Sequence, residues 1–141
     1  MKKYLPILFL IFFPTILSAL PFNINLTEFK DYKEVKLKLN DNVNGGCWTN
    51  LKEVREYTEE KIKNSGMTLN NDQYAYTFVV DVQGGRISNT CTGQVTVGLY
   101  TGMEIKTGIR VLITIKEIGV RGNDTTLNNK VVDMVGEFFK K

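Results

Sequence analysis

Few side chains here could do covalent or acid–base chemistry. The 141 residues contain no histidine, which removes Ser-His and Cys-His nucleophile activation, imidazole proton transfer and the commonest zinc ligand. Past residue 19 the only serines are Ser65 and Ser88. Cys47 and Cys91 stand forty-four positions apart, unlike the close C-x-x-C pair of a redox centre. Most carboxylates stand singly and Glu59-Glu60 falls on a charged helix face, so a general acid with a raised pKa has no home. Asp41 among the asparagines of Asn40 to Asn44 offers oxygen ligands at alternating positions, but one carboxylate is too few for calcium, and a polar turn is expected. Gly84-Gly85-Arg86 lacks the strand-to-helix setting of a phosphate loop and reads as a turn. The expectation is a protein that is not an enzyme, with no catalytic, cofactor-binding or metal-binding residues and no cofactor.

The two cysteines gain meaning from the first nineteen residues. Lys2 and Lys3 precede an apolar run from Leu5 to Leu17, broken by Pro6, Pro14 and Thr15, and Ser18-Ala19 offers a small-residue exit. That is the layout of a secretory signal peptide, residues 1–19. A spanning helix needs about twenty apolar residues, and this run is shorter and leads into Pro21. Cleavage is therefore expected over a stable membrane anchor, and no cysteine lies near the cleavage point to carry a lipid. Export to the periplasm or the exterior makes a Cys47–Cys91 disulfide the expected state. A loop of this length gives about 4 kcal/mol in the chain-entropy account.

Loss of Lys2 and Lys3 takes the formal charge from +3 to +1, so a basic partner surface for nucleic acid is not expected. Residues 20–141 fit one domain, long enough to bury a core without a metal.

The elements that must position these residues follow from periodicity. Val35, Leu37 and Leu39 alternate with Lys36 and Lys38, a half-buried strand whose lysines suit an edge. Asn50 with Glu53 resembles a capping box, Leu51, Val54, Thr58 and Ile62 form one helical stripe, and Asn64-Ser65-Gly66 ends it. Strands are expected at Tyr74 to Val82, closed by Gly84-Gly85, at Gln94 to Tyr100, and at Ile109 to Lys116. A last helix is expected from an Asp124 cap, with Leu127, Val131, Met134, Val135, Phe138 and Phe139 on its apolar face and Lys140-Lys141 at its end. The order β-α-β-β-β-α predicts an α+β two-layer sandwich, a mostly antiparallel four-stranded sheet with two helices. The first strand, reached through a helix, can pair parallel to a neighbour or sit at an edge.

Three features could mark contact surfaces. Trp48 beside Cys47 reads as packing, and Tyr74, Tyr76 and Phe78 as a core-facing row. The sequons at Asn25 and Asn123 would be surface markers in a cell that glycosylates. Gln94-Val95-Thr96-Val97-Gly98 fits Q-x-V-x-G. In those five residues, and in Gly45-Gly46 before a helix, the chain resembles the cystatins, secreted inhibitors of cysteine proteases that insert this motif as a hairpin wedge. That resemblance implies protease inhibition as an alternative. The leading expectation is a small exported or periplasmic binding and assembly module that contacts another envelope or secreted protein.

Overall fold

The computed structural model describes residues 32–72, 75–106 and 109–140. The expected signal peptide and its cleavage point, the Asn25 sequon, Tyr74 and Lys141 lie outside these residues. The element order is β1 (Glu34–Val43), α1 (Leu51–Asn64), β2 (Thr68–Leu69), β3 (Tyr76–Ile87), β4 (Thr90–Lys106), β5 (Ile109–Asp124) and α2 (Asn128–Phe138).

The strands form one five-stranded sheet in the order β2-β1-β3-β4-β5. β1 runs parallel to β3, as the helical crossover through α1 requires, and β3-β4-β5 is an antiparallel meander. Both helices contact the sheet and each other, giving the α+β sandwich read from the sequence. The fifth strand, β2, adds two residues parallel to the start of β1, too short to show a period.

Period-two alternation decides which side chains face the helices. Phe78, Val80 and Val82 of β3 register with Leu99, Val97 and Val95 of β4, and all six are buried. From α1 come Val54, Thr58 and Ile62, from α2 Val131, Val135 and Phe138. Thr58 is accommodated because its hydroxyl donates to the Val54 carbonyl at 2.6 Å. Phe78 and Phe138 meet edge to face with centroids 5.0 Å apart, an arrangement favoured by the ring quadrupoles. Trp48 is buried, as expected for packing.

Boundaries differ from expectation chiefly because strand pairing continues past local turn signals; β4 runs from Thr90 to Lys106, beyond the expected Gln94 to Tyr100, and β5 continues past Lys116 to Asp124. Asn40 to Val43 is not a loop but the end of β1, laddered to Asp81 through Gly84. Gly84-Gly85 does not turn the chain; β3 runs to Ile87, and the reversal falls at Ser88-Asn89, with Ser88 at φ +56°. Gly84 registers with Gly93, and Gly93 with Gly122, a glycine row across three strands. A Cβ on Gly93 would lie 2.8 Å from Leu127 Cδ1, so Leu127, at the start of α2, lies over Gly93. Asp124 ends β5 and does not cap α2; its carboxylate accepts from Thr125 N at 2.7 Å, and Leu127 takes the cap position.

Candidate functional site

The cysteines are joined. Cys47 and Cys91 form a disulfide with Cα atoms 5.5 Å apart, and both are fully buried. Polar contacts gather around it. Leu127 N donates to the Cys47 carbonyl at 2.7 Å, and Asn128 Oδ1 accepts from Thr49 N at 3.0 Å. Arg86, one register step across from Cys91, donates to the carbonyls of Gly45, Asn89 and Thr125. The loop after β1, the β3-β4 hairpin and the entry to α2 are thereby tied into one corner. With both sulfurs fully buried, the bridge holds the corner together and is shielded from solvent.

The surface able to meet another molecule is the opposite face of the sheet, away from the helices. Thr77, Val79, Asp81 and Gln83 of β3 lie on it, in register with Tyr100, Gly98, Thr96 and Gln94 of β4. Glu117, Gly119 and Arg121 of β5 continue these rows. Side-chain hydrogen bonds fix the polar groups. Asp81 accepts from Asn42 Nδ2 at 3.3 Å and Gln83 Nε2 at 2.6 Å, and Gln94 Nε2 donates to Thr96 Oγ1 at 3.2 Å.

Tyr100 lies on this face opposite Thr77, near the start of β3. Its ring folds back over Gly98, where a Cβ would come within 2.6 Å of the ring, and its phenol donates to Glu117 Oε2. Burial of the phenol, the hydrogen bond and charge of Glu117, and the charge of Asp81 push its pKa far above the ordinary 10.0. A phenol held neutral in this way is a donor and a flat apolar surface, not a base. Gly98, the last residue of the Q-x-V-x-G match, is thus needed to seat the Tyr100 ring.

The motif itself lies mid-strand. Gln94 to Gly98 pairs with β3 on one side and β5 on the other, and Val95 and Val97 are buried under the helices. These residues have no hairpin tip to insert into a cleft.

On the covered face Lys116 lies against α2. Its ammonium donates to the Phe138 carbonyl at 2.5 Å and sits 4.6 Å from the Phe138 ring centroid, and burial lowers its pKa. Among the described residues no group of three or more Cys, Asp or Glu could hold one metal ion, and no helix is long and apolar enough to cross a membrane. Asn123, in the second sequon, is exposed near the end of β5.

Comparison with known proteins adds distant likenesses. No protein-family model matches the chain, and no curated protein matches it in sequence. Among solved structures it is similar to a minor lipoprotein from Acinetobacter baumannii, at 15% identity and TM-score 0.39, over 77% of this chain and 88% of that one. It is also similar to an uncharacterized protein, at 9% identity and TM-score 0.29, over 76% of this chain and 91% of that one.

The Cys47–Cys91 disulfide is legible in the sequence, and the open face is not. Tyr100 and Glu117 are 17 residues apart in sequence and face each other only once β4 and β5 pair. The usable signal was Gly98 two residues before an aromatic in a strand, the spacing at which the ring can lie over the glycine.

Proposed function

We propose that this is a small exported, non-enzymatic binding module that contacts another envelope or secreted protein through the open face of its sheet. The observation that supports it is the Tyr100–Glu117 arrangement over Gly98: an aromatic ring packed on a glycine and tied to a carboxylate, on a face that neither helix covers. Such a ring offers contact area with little ordering cost, which is why tyrosine is favoured in recognition surfaces. The signal-peptide layout of residues 1–19 and the disulfide support export, since a bond of this kind persists in oxidising compartments.

The test is site-specific photo-crosslinking in the cell that exports the protein. A photoreactive residue at Thr96, in the middle of the open face, is expected to give a discrete adduct with one other protein. The same residue at Glu56, on the outer face of α1, is expected to give none. Equal labelling at both positions, or none at Thr96, would remove the reading.

A further inference from the structure

β5 is an edge of the sheet, and five of its residues carry a pattern that a second copy of itself can match. In Glu117-Ile118-Gly119-Val120-Arg121 the chemistry is an anion, an aliphatic, a glycine, an aliphatic and a cation. Glu117, Gly119 and Arg121 face the open side and are exposed, while Ile118 and Val120 face the helices and are only partly buried. When two such strands lie antiparallel with Gly119 opposite Gly119, each Glu117 faces Arg121 of the second copy. Each Ile118 then faces Val120 of the second copy. The Glu117–Arg121 and Ile118–Val120 pairs each form twice around a single Gly119–Gly119 pair, on the correct side of the sheet.

We infer that β5 pairs with β5 of a second copy of this chain, centred on Gly119, to make one continuous sheet across the two molecules. Directly opposed side chains in an antiparallel pair lie about 5 Å apart at Cβ, close enough for the charges to meet. Tyr100, by donating to Oε2 of Glu117, fixes where the carboxylate sits. Arg121 reaches back to Gln94 through Nε at 3.4 Å, and its terminal nitrogens are the donors suited to cross the interface. The order of signs selects the occupant: an antiparallel copy supplies it without any other partner.

The match is limited at both ends. Lys116 would stand opposite Gly122 of the second copy, where the Lys130 side chain lies over the glycine, so two ammoniums approach each other. A register shift at Leu99/Tyr100 also interrupts the β4–β5 ladder just before Lys116, and such irregularities turn an edge away from pairing. The ladder is therefore short and the association weak and reversible.

Sedimentation velocity on the purified oxidised protein, with no other protein present, tests this independently of the crosslinking partner. The native protein is expected to dimerise with a dissociation constant below about 1 mM. Glu117→Arg or Arg121→Glu alone sets like charges opposite each other twice and should weaken the dimer at least about tenfold. The double variant E117R/R121E restores opposite charges and should recover affinity to within about threefold of native. A protein that stays monomeric throughout, single variants that leave the dimer unchanged, or a double variant as weak as the singles would each overturn the inference. Arg121→Glu leaves the Tyr100–Glu117 bond in place, and circular dichroism on each variant separates lost pairing from lost fold.

Discussion

Two strands leave a long free flank, β1 beyond its two-residue pairing with β2 and β5 at the sheet edge, and these flanks arrange their exposed charges in opposite ways. On β1 the residues beyond the short β2 pairing run from Lys36 to Val43, and their charged side chains are Lys36 and Lys38 on the open side and Asp41 on the other. Residues directly opposed across an antiparallel pair share a face, so no self-pairing register of this stretch sets opposite charges together. On β5, Glu117 and Arg121 share the open side and lie symmetrically about Gly119. A flank can thus be guarded against copies of itself or fitted to them by charge order alone. Like charges directly opposed are destabilising in a sheet, and unlike ones are favourable.

What holds each flank in place also differs, and the largest expected effects come from cutting those supports. Replacing both cysteines by serine should destabilise the protein by up to about 4 kcal/mol in urea unfolding. The bond links the loop after β1 to β4 across β3, so amides of β1 should lose exchange protection before those of β5. Phe138→Ala should cost about 3 to 5 kcal/mol, the range for deleting a buried aromatic. It also removes the ring that lies beside Lys116, and here β5 should loosen first. If both variants loosened the two flanks equally, the idea that each flank has its own support would fail.

Much of this was legible in advance, because packing faces follow from periods of two and about 3.6. The α1 boundaries, the apolar stripes of both helices, the parallel crossover geometry open to β1, and the disulfide follow from the sequence. What escaped depends on register. Gly84 resembles a turn residue until Gly93 and Gly122 are seen beside it, where Leu127 lies over Gly93 and Lys130 over Gly122. Asn40 and Asn42 look like loop residues until β3 is seen to pair with them. Glu117 and Arg121 are four apart in any reading, but their symmetry matters only on a strand that ends the sheet.

The open face gives a pH signature of intermediate size. Folding raises the Tyr100 pKa above its ordinary 10.0, through burial first and Glu117 second. The native state then keeps a proton that the unfolded chain releases. That contribution to stability is whole below pH 10 and is lost as the pH climbs toward the raised value. Lys116, held below its ordinary 10.5 by burial, acts in the opposite sense. Comparing native protein with Tyr100→Phe at each pH isolates the phenol. The native protein should lose stability relative to the variant above pH 10, and ultraviolet titration should show one tyrosine ionising later than the rest. A parallel pair of stability curves would show that the phenol is not held on this face.

The smallest effect is expected at the other flank. Lys36→Glu with Lys38→Glu should change the self-association constant by less than about twofold, since β1 does not take part and the change acts only through net charge. A large change there would mean that the guarded flank, and not β5, meets the second copy.

The most direct measurement is amide hydrogen exchange on the oxidised protein as its concentration is raised through the dimer transition. The account predicts that protection rises within Glu117 to Arg121 of β5 while amides in Lys36 to Val43 of β1 keep their rates. Unchanged exchange in β5, or an equal rise at both flanks, would contradict it.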